Sequence, residues 1–151
     1  MASLLSSIRT IWAGKSELTS LVSVARVFTG RVPSTRQIAM PYVTVLAAGG
    51  YTTHRTDKTR YYQVPVTFHI WADAEVANAL ENALTLARAI GDAYVDTCWT
   101  LTATDKVIDC LDEGEPLVNQ VKLPTHHIWE VVQMVTVCLE RSRVDENTCC
   151  Q

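Results

Sequence analysis

The sequence predicts an α+β domain: a largely antiparallel four-stranded sheet, with a long helix packed on one face and a second helix at the N-terminus. Three observations carry this. Residues 61–71 alternate cleanly, with Tyr62, Val64, Val66, Phe68 and Ile70 on one face and Tyr61, Gln63, Thr67 and His69 on the other. Directly after them Val76, Leu80, Ala83, Leu84, Ala87 and Ile90 recur at helical spacing. Residues 127–141 alternate again, with Trp129, Val131, Val135, Val137 and Leu139 on one face and Ile128, Val132, Met134 and Cys138 on the other. A strand that needs cover on one face, next to a helix with one apolar stripe, is the ingredient of a two-layer α+β fold.

In chain order, Leu4, Leu5, Ile8, Ile11 and Trp12 fall at helical spacing, with Ser3 placed to cap this first helix and Gly14 to stop it. Ser16 opens a short second helical turn carrying Leu18, Leu21 and Val22. Residues 26–33 read as extended, punctuated by Gly30 and Pro33, and residues 34–40 as a polar connector. Tyr42-Val43-Thr44-Val45-Leu46 is β-branched and aromatic, and Pro41 is read as the first residue of that strand, a place that tolerates proline. Gly49-Gly50 and the polar stretch 51–60 form a long hairpin. Asp73 sits where a helix N-cap belongs, so the helix is expected to start almost without a loop, placing Phe68 against Leu80. Gly91 is expected to end or fray that helix. Residues 99–104 read as a strand, continued by 107–111 after a bend at Asp105-Lys106, and 112–116 as a turn. The domain spans 1–142, and 143–151 is polar, aperiodic and expected to be a flexible tail that tolerates removal.

At 151 residues the chain has the length of one domain, and 48% apolar with 19% charged residues is globular composition. The net charge of −3 and a pI near 5.8 give no general attraction to nucleic acid. No stretch approaches the roughly eighteen apolar residues of a membrane span, and the N-terminal helix has Arg9 in its middle and no basic leader, so a soluble, non-secreted chain is expected. Five cysteines, Cys98, Cys110, Cys138, Cys149 and Cys150, are odd in number and scattered, which points to reduced thiols.

No set of residues assembles into a reaction centre. His126 and His127 are adjacent on a strand and point to opposite faces, so they do not chelate one ion together. No thiol has a base fixed beside it. The acidic run Asp105, Asp109, Asp112, Glu113 and Glu115 lacks the alternation and glycine of a calcium loop. It reads as a solvated loop or as an electrostatic docking surface. The hairpin residues His54, Arg55, Lys58 and Arg60 stand against a single Asp57 without interleaved aromatic residues. Gly49-Gly50 is no phosphate loop, because no Gly-Lys-Ser/Thr follows. No enzymatic activity, metal or cofactor is expected. The second face of the last strand is itself apolar, so either the N-terminal helix or a neighbouring subunit must cover it. Tyr61, Trp71 and Pro65, a proline suited to an edge strand, point to an edge that needs a partner.

The order of elements resembles a known family. Arg26-Val27-Phe28-Thr29-Gly30-Arg31-Val32-Pro33 and then Met40-Pro41-Tyr42-Val43-Thr44-Val45 resemble the opening of the tail-completion family of tailed bacteriophages, which includes tail terminators and tail-to-head joining proteins. An arginine (Arg60), an alternating strand, the pair Trp71-Ala72 and a helix of alanines and leucines follow in the same order, closed by the last strand. The resemblance spans residues 4–141; the cysteine-bearing tail and the acidic segment depart from it. It implies a virion protein, assembled in the host cytoplasm, that forms a ring of six subunits. Such a ring ends the tail tube and meets the neck connector, in passive contact with DNA in its lumen and with no membrane. It also implies a cover for the second face and a partner for the edge. On that reading His54, Arg55, Lys58 and Arg60 of one subunit approach Asp109, Asp112 and Glu113 of the next, while Trp71 and Met134 lie on the buried outer face. The rival reading is a small dimeric ligand-binding or regulatory module.

Overall fold

The computed structural model describes residues 2–30, 32, 38–56, 58–95, 97, 99, 101 and 105–142. The tail at 143–151 and the cysteines Cys98, Cys149 and Cys150 lie outside the described residues, as do most of the connector and of the expected 99–104 strand. The elements run α1 (Ala2–Gly14), α2 (Ser16–Thr19), β1 (Val27–Thr29), β2 (Tyr42–Ala47), β3 (Tyr51–Arg55), β4 (Thr59–Asp73), α3 (Ala79–Val95), β5 (Asp105–Asp112), β6 (Leu117–Lys122) and β7 (His127–Ser142). The α+β class holds, but the sheet has seven strands, not four.

The difference has a simple origin. β4 and β7 are long, 15 and 16 residues, and pair antiparallel along their whole length. Each is flanked by a row that is broken in the middle. On one side β2 and β3 follow one another along β4, and on the other β6 and β5 follow one another along β7. Between Ala47↔Val66 and Tyr51↔Gln63 three residues oppose two, which is a bulge of one residue. Gly50 is required there, since a Cβ would lie 2.7 Å from Val64 Cγ2 and 3.3 Å from the Gln63 carbonyl. Between Asp112↔Val135 and Leu117↔Val132 four residues oppose two. Short β1 adds a parallel strand outside β2.

Pro65 therefore lies in a central strand rather than at an edge. Its carbonyl accepts the Ala48 N–H at 3.0 Å. In an antiparallel ladder a residue's N–H and C=O point to the same neighbour, so the donor that proline lacks would have faced the break between β2 and β3.

Both main helices cover one face. Val64, Val66, Phe68 and Ile70 of β4 and Val131, Val135, Val137 and Leu139 of β7 are buried there with Leu4, Ile8 and Trp12 of α1 and Ala83, Leu86, Ala87, Ile90 and Tyr94 of α3. An aromatic stack ties the layers together. Phe68 lies 6.5 Å from Trp12 and 5.0 Å from Tyr94, and Tyr94 lies 5.5 Å from Trp99. The Tyr94 hydroxyl donates to the Ile8 carbonyl at 2.7 Å, and the Trp12 indole donates to Val22 O at 2.8 Å. The N-terminal helix thus shares the face that α3 covers, and the option of its covering the opposite face is excluded.

Four local expectations are corrected. α1 begins at Ala2, so Ser3 lies inside it. α3 starts five residues late: Asp73 Oδ1 accepts the Glu75 N–H at 3.0 Å in a local turn, and Asn78, at φ 61°, makes the last bend before the helix. Val76 is thereby left 58% exposed instead of facing the core. Gly91 does not end the helix, which runs to Val95. It is buried where the Asp112 carboxylate comes close, 2.8 Å from where a Cβ would sit. Trp99 and Leu101 are in no strand; the Trp99 indole donates to the Tyr94 carbonyl at the helix end, and β5 begins at Asp105, where a bend was expected.

Candidate assembly interface

Among the described residues no helix packs on the face of the sheet opposite α1 and α3, and much of that face is open. Its side chains can be read in rows across the strands. One row runs Tyr42, Trp71, Glu130, Asn119; the next Thr44, His69, Val132, Leu117; the next Leu46, Thr67, Met134. Pro65, Thr136 and Leu111 follow, then Tyr51, Gln63, Cys138 and Asp109. The centre is apolar and open: Leu46 is 48% exposed, Met134 39% and Leu117 66%. An apolar centre inside a polar margin is the anatomy of a protein interface.

The margin at one end is a linked ladder. Phe28 meets Tyr42 edge-on at 6.2 Å, Tyr42 stacks on Trp71 at 6.3 Å, and Trp71 stacks on His69 at 6.3 Å. The Trp71 indole donates to Thr44 Oγ1 at 3.0 Å, His69 Nδ1 lies 2.7 Å from Glu130 Oε1, and Asn119 Nδ2 donates to Glu130 Oε2 at 3.4 Å. Five strands, β1, β2, β4, β7 and β6, contribute. The sequence marks Trp71 and Met134 on this face, and both lie there. Leu46, Leu117, His69 and Glu130 were not marked as interface residues, because their rows depend on register between strands far apart in the chain.

The charged candidates lie on opposite flanks. The β3–β4 turn is closed by Thr56 N–H to Thr59 O at 2.8 Å and Thr59 N–H to Thr56 Oγ1 at 3.0 Å, which leaves His54, Arg55 and Lys58 exposed and Arg60 half-buried. Asp109 and Glu113 are exposed on the far side of β7. The acidic residues do not form one surface. Asp105 is clamped by Arg141, Nε to Oδ1 at 2.6 Å and Nη2 to Oδ2 at 2.9 Å, and this hydrogen bonding holds its carboxyl below the usual carboxylate range. Asp112 Oδ1 accepts from Gln133 Nε2 at 2.8 Å and from the Gly114 N–H at 3.1 Å, so it braces the loop between β5 and β6. Glu115 comes within 3.8 Å of Arg88 where both are exposed, a contact of little energetic weight.

Cys110 and Cys138 are free thiols on opposite faces of the sheet, Cys110 opposite Val137 in the core and Cys138 opposite Asp109. Burial, with Asp109 adding to it, pushes the Cys110 thiol up to about 12 and raises Cys138 as well. Only thiolate reacts with alkylating reagents. Cys110 in the folded chain is therefore expected to label at pH 8 at least about a hundredfold more slowly than in urea, and equal rates would refute its burial. The raised folded value also fixes a pH dependence. The contribution of the neutral buried thiol is fully present below the ordinary thiol value, about 8.5, and is lost as pH rises from there through the folded value.

A mostly apolar cleft of about 310 Å³ lies on the helix side, lined among others by Leu21, Met40, Pro41, Ile70, Val76 and Ala79. Among the described residues no three His, Cys, Asp or Glu side chains gather as a metal site, and no helix is long and apolar enough to cross a membrane.

No protein-family model and no curated protein matches the sequence. Solved structures do match. A chain of the virion of a native gene transfer agent particle superposes with a TM-score of 0.69 at 14% identity, covering 92% of this chain and 96% of that one. The two share a fold. A second solved chain, 10% identical and covering 90% of this chain and 91% of its own, reaches a TM-score of 0.49, too low to argue from.

Proposed function

We propose that this protein is a structural subunit of a phage-like virion, acting as a tail-completion protein whose ring, the six-membered one of the family it resembles, ends the tail tube and joins it to the neck. The observation that carries the proposal is the likeness to a gene transfer agent virion chain over nearly the full length of both chains. The open sheet face supports it from physical grounds. A subunit that leaves Leu46, Leu117 and Met134 exposed on one uncovered face is built to be buried against another protein. The partners on this reading are further copies of the chain, the tail tube and the neck, and the place of the protein is the virion. The role is a structural one, without catalysis or cofactor.

The test is the mass of the purified chain in solution, followed by electron microscopy of the chain mixed with tail tubes. A closed assembly of about six times the 16.8 kDa subunit that sits on tube ends is expected. A stable dimer that ignores tubes would favour a small ligand-binding module instead.

A further inference from the structure

The two flanks of the sheet at the hairpin end carry opposite charge and are both unpaired among the described residues: β3 pairs β4 alone, and β5 pairs β7 alone. They occupy the same level of the sheet, as the rows Arg55–Arg60–Arg141–Asp105 and Tyr51–Gln63–Cys138–Asp109 show. β3 is exposed along its whole length and β5 along most of its own. Each therefore presents a row of main-chain donors and acceptors to solvent, which is a template for another strand.

Strand direction adds a second constraint. From the pairings, β3 and β7 run one way and β4 and β5 the other. A neighbouring copy set alongside without inversion brings β5 against β3 in opposite directions. That is the antiparallel arrangement, the more stable per residue. Charge adds a third. The β3 flank carries His54, Arg55 and Lys58, and the β5 flank carries Asp109 and Glu113 against a single lysine, Lys106, all exposed. A two-fold pairing would set acid against acid or base against base, and like charges opposite one another destabilise strand pairs. Head-to-tail contact alone sets the opposite signs together.

We propose that the β3 edge of one subunit pairs with the β5 edge of the next, so that the sheet continues from copy to copy around the assembly. The inference rests on the ring reading above and names the contact that closes the ring. It also leaves the open sheet face to the partner above or below.

Two measurements test it. In the wild-type assembly, amide exchange should be slowed at least about tenfold at both the inward and the outward amides of residues 51–55 and 105–112, where a free edge strand protects only alternate ones. Charge reversal gives the second. Arg55→Glu with Lys58→Glu makes both flanks acidic, and Asp109→Lys with Glu113→Lys makes both basic. Each variant should melt like the wild type and fail to assemble at low salt, and an equimolar mixture should form rings of alternating chains. Rings whose outward amides at β3 and β5 exchange freely would overturn the pairing and leave the ring intact. So would variants that assemble alone as well as the wild type, or a folded mixture that stays unassembled. A wild-type chain that forms no ring would overturn both proposals.

Discussion

Replacing Phe68 by alanine is expected to lower the stability of the free subunit by about 3–5 kcal/mol. Phe68 is 1% exposed and lies between Trp12 of α1 and Tyr94 of α3, so truncation removes the ring that joins both helices to β4. The rigid frame leaves the vacated volume open: β4 is hydrogen-bonded along both sides, and Tyr94 is fixed to the Ile8 carbonyl. Denaturant unfolding measures it, with an unchanged m-value showing that the unfolded state is unaltered. Leu80→Ala, at a half-buried position, should cost well under half as much. Equal losses at the two positions, or a loss under about 1 kcal/mol at Phe68, would contradict this account of the core.

The same pair shows how far the sequence could be read. Alternation put Phe68 on the buried face and helical spacing put Leu80 on the apolar stripe, but which helix residue meets which strand residue depends on rise. The five residues from Phe68 to Asp73 cover about 17 Å, and a helix needs about 11 residues to return that distance. Counted from Ala79, where the turn at Asn78 lets the helix begin, that reaches the level of Ile90 rather than Leu80, one turn before Tyr94, whose ring meets Phe68.

The faces of β4 and β7 were legible because each is half-buried, which forces a period of two. β3 and β6 were not. Neither is buried on a face, so Tyr51-Thr52-Thr53-His54-Arg55 and Leu117-Val118-Asn119-Gln120-Val121-Lys122 carry no alternation, and hydrogen bonds to β4 and β7 alone define them. Pro65 misled for a related reason, since the break that tolerates it lies on another strand. Of the candidate interface, Trp71 and Met134 were visible as the second face of long strands. Asp112 looked like its acidic neighbours, and only the fold reveals that Gln133 and Gly114 hold its carboxylate.

If the proposed tail-completion role holds, glutamate at both Leu46 and Met134 is expected to abolish association with tail tubes while leaving the melting temperature almost unchanged. The two side chains flank Thr67 in one row at the centre of the open face and are both well exposed in the free subunit. Charging such positions costs within about 0.5 kcal/mol when they stay in water. Burial against a partner changes the balance, because an unpaired carboxylate taken out of water costs several kcal/mol. Two such charges in each subunit, repeated around the proposed ring, are expected to exceed what the remaining contacts supply. Val76→Glu is the control. Val76 is also apolar and exposed, but it lies in the turn before α3 on the helix side, so its variant should associate normally. Sedimentation with tubes and the mass of the free assembly read the outcome separately. Loss of the ring itself would place the open face between subunits, and full association by the double variant would show that this face is not buried in the particle at all.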